Sequence, residues 1–374
     1  MSLDILQVSF YVDPRRRAPA QLLKDWHSLP AVAEAAARAT RRVTVIQASA
    51  IEGRSERAGI EYHFIAPDRG SVLTRRGRFV ALLRETEPDV IHVHGLDFAR
   101  ELIGLRALAP TTPILLQDHA SGPPRFWRRP LWKRGAAQVQ GIAFCAREQS
   151  APFERRGLIA PRTKIFEIPE STTTFTPGER QAARAITGMH GDPAVLWVGR
   201  LIALKDPLTV LQGVAEAARA LPGLQLWCCY GASPLLPEVR ARIARDAALR
   251  ERVHLLGCVP HAFLQELMRG ADLFVLGSRR EGSGYAVIES LATDLPAIVT
   301  DIPSFRVLVG AGEQAAGALW PCGDARALTR ALLACMAQPA GELRARARTR
   351  FESELSAAAL GRKLAAAYEE LACA

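Results

Sequence analysis

The sequence predicts an α/β protein built from two doubly wound domains, and three observations predict it. The chain has 374 residues, and at roughly 100–200 residues per domain that length calls for two. Short apolar runs alternate with alanine-rich stretches of helical period, which implies parallel sheets covered on both faces. A polar segment with turn residues, Ser171–Gly178, interrupts the alternation as a linker does. The seam is therefore placed near 171–192, with a first domain over 1–175 and a second over 176–374.

In the first half the strand-like runs are Ile5–Val12, Val43–Ala48, Tyr62–Ala66, Val90–His94, Ile114–Gln117, Ile142–Cys145 and Lys164–Ile168. Helical stretches such as Pro30–Thr40 and Phe79–Glu87 lie between them. The second half repeats the scheme with strands at Ala194–Val198, Gln225–Cys229, Val253–Leu255, Leu273–Leu276 and Ala297–Thr300. Its helices include Pro207–Ala220, Pro237–Ala248, Ala262–Gly270 and Tyr285–Ala292. The last helical run, Leu355–Leu371, either stays on the second domain or crosses back to the first. Two such sheets hold ligands at the carboxyl ends of their strands, here expected to face each other across a cleft.

Composition excludes several classes. Hydrophobic residues make up 49% and charged residues 23% of the chain, ordinary for a folded domain and unlike a disordered or collagen-like chain. No run approaches the roughly 18 apolar residues of a membrane span. Met1–Ile5 shows no basic segment followed by an apolar core, so no secretory signal is expected and the expected location is cytoplasmic. The 7 cysteines form no C-x-x-C pair and read as scattered thiols in a reducing compartment. The net charge of +10 is uneven: residues 1–170 hold 26 basic against 18 acidic side chains, the remainder 22 against 20. A basic first half suits an anionic partner or an arginine-rich solvated surface.

The stretch Asp272–Asp301 carries the most chemistry. A strand leads into Gly277–Gly284, a helix follows from Tyr285, and Gly282 and Gly284 stand just before that helix. Glycines let a ligand approach the backbone, and a helix N-terminus favours phosphate. Glu281 stands at the mouth of the turn and Glu289 inside the helix. Carboxylates beside a phosphate site make sense as acceptors for sugar hydroxyls; read alone, they are a turn residue and a solvated helix position. After the first strand of the second half, Gly199-Arg200 and Lys205 place two cations on one strand-to-helix loop. Fixed cations there neutralise a diphosphate leaving group without a metal.

These residues resemble the retaining GT-B glycosyltransferases, specifically glycosyltransferase family 4. The resemblance rests on Gly199-Arg200…Lys205, Val253–Val259, Ala271–Ser278 and above all Glu281–Glu289, which looks like the family's E-x7-E element. Weaker matches in the first half are Pro88–Gly95, Asp118-His119 and Ile168–Glu170. The resemblance covers most of the chain and is most specific from 195 to 305. It implies two Rossmann-like domains with an interdomain cleft, and transfer of a hexose from a nucleoside-diphosphate sugar to a hydroxyl with retention. It further implies that Arg200 and Lys205 hold the diphosphate, that Glu281 contacts the transferred sugar and that Glu289 holds the ribose. The backbone around Gly282, Ser283, Gly284 and Tyr285 would contact sugar or phosphate, Gly257, Cys258 and Val259 would lie near the base, and His119 would face the reacting sugar. The catalytic set is thus His119, Arg200, Lys205 and Glu281.

The chain departs from the family pattern at Val12–Pro19, where a basic loop stands in place of a glycine pair, and at Tyr230–Ser233, which lacks a second glycine. Arg15, Arg16, Arg17 and His94 are therefore the acceptor candidates, for a glycan, glycolipid or small molecule that is anionic or lipid-linked. His92 and His94 share one side of a strand, yet no acidic or cysteine partner is evident, so no metal is expected; nor is any other cofactor, the nucleotide sugar being a substrate. The sequence has no D-x-D, P-loop or G-x-G-x-x-G motif. Positive charge without an aromatic platform argues against nucleic acid. Basic segments at Arg75–Arg78 and Arg125–Arg129 are candidates for peripheral contact with an anionic membrane face. A GT-B epimerase or phosphorylase and a degenerate nucleotide-sugar-binding subunit remain alternatives.

Overall fold

The computed structural model describes residues 3–67 and 73–373, the Arg75 side chain excepted. The chain divides into two units, one running to Thr172 and resuming at Ala357, the other spanning Thr173–Ser356. The division falls three residues before the expected boundary, and the closing helix, Ala357–Ala372, belongs to the first unit.

The first unit contains β1 (Asp4–Ser9), β2 (Arg42–Ala48), β3 (Gly53–Arg57), β4 (Ile60–Ile65), β5 (Val90–His94), β6 (Ile114–Gln117), β7 (Gly141–Phe144) and β8 (Lys164–Glu167). They form one sheet in the order β3-β4-β2-β1-β5-β6-β7-β8. Side chains along a strand alternate between faces, and two separate apolar clusters receive them. Leu6, Val8, Ile46, Ile91 and Val93 enter one cluster; Ile5, Val43, Val45 and Val90 enter the other. Burial on both faces explains why the strands read as continuous apolar runs.

Helix Ala357–Ala372 covers the second cluster with Leu360, Leu364, Ala367, Tyr368 and Leu371. The Tyr368 hydroxyl lies 2.8 Å from Nδ1 of His92. Burial pushes the His92 imidazole down to about 3, so its neutral ring accepts the phenol proton.

Expectation and structure differ in a few elements. The sheet is not parallel throughout, because β3 pairs antiparallel with β4. Gly53–Arg57 is a polar edge strand and carries no apolar run to reveal it. Strand β1 ends at Ser9, before Val12. The helix expected over 237–248 breaks at Asp246, whose carboxylate accepts the Ala248 N–H at 3.0 Å and caps a new turn.

The second unit has β9 (Ala194–Gly199), β10 (Gln225–Tyr230), β11 (Val253–Gly257), β12 (Leu273–Leu276), β13 (Ala297–Thr300) and β14 (Gly317–Trp320). All pair in parallel, in the order β11-β10-β9-β12-β13-β14. The short β14, half-buried except at Trp320, was not anticipated from the sequence. In this sheet the chain runs outward from β9 through β10 and β11, then returns to β12 on the opposite side of β9. That reversal opens a crevice at the carboxyl ends of β9 and β12. In the first unit the same reversal falls between β1 and β5.

Leu364 is fully buried in the closing helix. Leu364→Ala is expected to destabilise the first unit by about 2–5 kcal/mol, read by denaturant unfolding. A change below about 0.5 kcal/mol, the size of an ordinary surface substitution, would show that the helix is not part of this core.

Candidate functional site

In the second unit the loops after β9 and β12 meet at the crevice. Lys205 closes a short 3₁₀ turn, Ala203–Lys205, and its ammonium pairs with the Glu281 carboxylate. Ser278 Oγ donates to the same carboxylate oxygen at 2.6 Å. Next to this pair, Arg279 Nη2 donates to Asp206 at 2.7 Å, and the Arg279 N–H donates to the Leu204 carbonyl at 2.8 Å. Two opposite-charge contacts and a backbone bond thus tie the loops together. Arg200 and Arg280 stay exposed.

The glycine turn is sterically determined. Gly284 has φ +80°, and a Cβ there would stand 2.4 Å from the Phe305 ring. Only glycine meets both conditions. Gly282, Ser283 and Gly284 are buried, and the helix Tyr285–Ala292 starts directly after them. The first N–H groups of a helix lack intrahelical acceptors, so this end is suited to an anion.

Glu289 lies deeper in that helix and is almost wholly buried. His261 Nε2 contacts its carboxylate at 2.6 Å, and the Phe175 ring packs on His261 with centroids 4.4 Å apart. Burial raises the Glu289 carboxyl, with His261 opposing the rise. Glu289 is therefore not a solvated helix position. Gly257, Cys258 and Val259 lead into the helix His261–Gly270 that supplies this histidine. Gly257 has φ +71° with open space where a Cβ would stand. Gly199 ends β9, and a Cβ there would press on Trp197 at 3.2 Å.

The remaining candidates lie in the first unit, so the expected catalytic set is divided between the two. There the ends of β1, β2, β5 and β6 surround a cavity of about 510 Å³. His94 Nδ1 lies 3.2 Å from His119 Nε2, and His119 Nδ1 lies 2.8 Å from the Glu170 carboxylate. Burial holds His94 neutral, well below the usual imidazole range. Asp118, beside His119, accepts the Ser121 N–H at 2.8 Å; burial nevertheless pushes its carboxyl up to about 6.

Arg17 does not present a cation to this cavity. Its guanidinium is held by Asp13 at 2.8 and 3.1 Å and by Asp25 at 3.1 Å. It lies 5.5 Å above the Trp26 ring, and Trp26 lines the cavity. Arg17 is thus a strut for an aromatic wall, which a run of three arginines does not reveal. Arg15 and Arg16 are exposed.

Sequence reasoning missed Arg279, Asp206 and His261, because polar partners from distant segments leave no spacing signal; Ser278 falls within the quoted stretch Ala271–Ser278 but was given no role. It also missed Tyr11, Trp26, Gln47 and Phe98 as cavity walls. Glu170 falls within a quoted motif, Ile168–Glu170, but was given no role. Among the described residues no group of three or more His, Cys, Asp or Glu side chains is placed to hold a metal. Among them also, no helix is long and apolar enough to cross a membrane.

The two doubly wound units have the GT-B fold. The chain is similar over 99% of its length to sucrose-phosphate synthase from Thermosynechococcus elongatus, with TM-score 0.73 and 20% identity, covering 99% of that chain. It is also similar to Anabaena HepE in complex with UDP, with TM-score 0.70 and 16% identity, covering 99% of this chain and all of that one. Residues 192–338, within the second unit, match the family described as Glycosyl transferases group 1. D-inositol 3-phosphate glycosyltransferase from Nocardia farcinica is 32% identical over 161 residues, 41% of this chain and 36% of that protein. The protein of the same name from Rhodococcus erythropolis is 30% identical over 178 residues, 46% of this chain and 40% of that protein. The matches therefore span well under half the length of these curated relatives.

Asp118 gives a pH signature. Its folded value of about 6 exceeds the ordinary carboxyl value, so the folded state binds its proton more tightly. That stabilisation is complete below about pH 4 and is lost as pH rises through 6. Asp118→Asn is expected to gain on the wild type by up to about 3 kcal/mol between pH 4 and 8, measured by denaturant unfolding. A pH-independent difference would contradict the buried carboxyl.

Proposed function

We propose that the protein is a glycosyltransferase that moves a hexose from a nucleoside-diphosphate sugar to an acceptor hydroxyl, with retention and without a metal. The observation that carries this reading is the glycine turn at the end of β12, which leads into a helix N-terminus beneath the Lys205–Glu281 pair. The Glycosyl transferases group 1 match over the same residues supports it.

The second unit is the donor side. The diphosphate lies against the helix N-terminus, with Lys205 and Arg200 supplying positive charge. Glu281 receives hydroxyls of the transferred sugar as its bond to Lys205 is shared with phosphate. Glu289 receives the ribose hydroxyls, held in place by His261, and Gly257, Cys258 and Val259 border the base. In the reaction the bond from the anomeric carbon to the diphosphate oxygen breaks, and the electron pair leaves with the phosphate. The acceptor oxygen bonds to the same carbon on the same face, and its proton passes to the departing phosphate. Positive groups already in place when this charge develops need no reorganisation, and one such donor is typically worth about 3–4 kcal/mol.

The first unit is the acceptor side, with His94, His119 and Glu170 at its cavity. Its surface also supports peripheral contact with an anionic membrane. Phe126 and Trp127 are 72% and 57% exposed, with Arg125 5.3 Å over the Trp127 ring. The sequence from 119 to 147 holds Arg125, Arg128, Arg129, Lys133, Arg134 and Arg147 and no acidic residue. Aromatic tips between cations suit a negatively charged bilayer surface.

Two experiments test the reading. Among UDP, GDP, ADP and TDP sugars, one donor class is expected to raise the melting temperature by linkage. With that donor saturating, Lys205→Ala and Arg200→Ala are each expected to lower turnover at least about tenfold. Near-wild-type turnover in both variants overturns the assignment. Conversion of the donor with no acceptor, or dependence on inorganic phosphate, would instead identify an epimerase or a phosphorylase. For the surface, sedimentation with phosphatidylglycerol vesicles but not phosphatidylcholine vesicles is expected, lost in Phe126→Ser/Trp127→Ser. Equal sedimentation of wild type and variant contradicts the membrane contact.

A further inference from the structure

We propose that Arg348 and Arg350 are positioning residues for the donor. They hold the carboxyl ends of two helices of the second unit whose amino ends build the glycine turn. The inference rests on the glycosyltransferase reading and goes beyond the residues at the crevice itself.

The helix Ala340–Arg350 carries arginine at 344, 346, 348 and 350. Leu343 and Ala347 form its buried stripe, and the four half-buried arginines flank that stripe. An arginine stem lies along apolar surface while its head reaches outward. Each head here ends on a backbone carbonyl. The last carbonyls of a helix have no intrahelical donor, and an arginine at that end supplies both donors and a favourable charge. Arg344 does this for His261–Gly270, at the carbonyl of the following Ala271.

Arg348 Nη1 donates to the Ala292 carbonyl at 3.2 Å. Ala292 ends the helix Tyr285–Ala292, and the Thr293 N–H beyond it reaches the carbonyls of Glu289, Ser290 and Leu291 instead. Glu352 and Asp294 pair with the same guanidinium, which stands 5.7 Å from the Phe351 ring. Arg350 acts on the next helix, Pro303–Val309. Its Nε donates to the Leu308 carbonyl at 3.1 Å and its Nη2 to that of Val307.

The opposite ends of these helices are the functional ones. They follow β12 and β13, so their amino ends lie at the carboxyl edge of the sheet, where the crevice opens. Tyr285–Ala292 has 8 residues, too few to absorb a shift by bending, and it carries Glu289 one turn from the capped end. Pro303–Val309 carries Phe305, whose ring stands where a Cβ on Gly284 would fall. Arg348 therefore sets the ribose carboxylate and the glycine turn together. Arg350 sets only the wall on which the turn packs. Arg346 supplies a contrast within the same helix. Its Nε donates at 3.1 Å to the carbonyl of Ala315, in the loop before β14, away from both helices' carboxyl-terminal residues.

Ligand-observed NMR on the full chain tests this, with UDP, GDP, ADP and TDP and with the parent nucleoside of the tightest binder. Arg350→Met is expected to weaken the diphosphate at least about tenfold and the nucleoside less than about twofold. Arg348→Met is expected to weaken both at least about fivefold. Arg346→Met loses a carbonyl bond in the same way and is expected to change neither by more than about twofold. Arg350→Lys keeps the charge and one bond, and its diphosphate affinity is expected to fall between wild type and Arg350→Met; it carries the test if the methionine variant does not fold. The same change in all three positions, or wild-type affinities in the variants of Arg348 and Arg350, overturns this inference alone. Failure of all four diphosphates to bind the wild type overturns the glycosyltransferase reading, and this inference with it.

Discussion

The contact between Lys205 and Glu281 is the constraint on which the second unit's chemistry depends. It joins the loop after β9 to the loop after β12 at the place where the order of the sheet reverses. Both side chains are largely withdrawn from water, and each offsets the desolvation of the other. The Arg279–Asp206 contact holds the same two loops, and Ser278 fixes the Glu281 carboxylate within its own loop. The result is a preorganised cation and a preorganised carboxylate beside one helix N-terminus. A diphosphate ester of a sugar carries the complementary groups, an anion next to hydroxyls.

The first unit uses the same topological feature for different chemistry. Its reversal between β1 and β5 gathers aromatic rings and hydrogen-bond acceptors rather than a cation and a glycine turn. The closing helix contributes from beneath. Tyr368 holds His92, whose ring packs 4.4 Å from His94, and His94 meets His119 at the cavity. Burial keeps His92 and His94 neutral, so these two rings orient hydrogen bonds without adding charge.

Much of this was legible in the sequence, and the rest was hidden for physical reasons. Parallel strands buried on both faces give unbroken apolar runs, which is why β5, β6, β12 and β13 were read at their observed limits. The edge strand β3 has exposed side chains on both faces and left no such mark. The glycine turn and Glu289 were visible because a strand, two glycines and a helix occur in immediate succession. His261 and Asp206 were not, since each meets its partner only after segments remote in sequence have folded together. Arg17 shows the converse. Three consecutive arginines look like a charged surface, yet Asp13 and Asp25 turn one of them into an internal brace for Trp26.

A crystal structure with a bound nucleoside diphosphate tests the central claim most directly. The account predicts phosphate oxygens at hydrogen-bond distance from Lys205 Nζ and from the first N–H groups of the helix beginning at Tyr285. It also predicts the ribose hydroxyls on Glu289. A diphosphate bound away from the ends of β9 and β12, with the Lys205–Glu281 contact undisturbed, would contradict it.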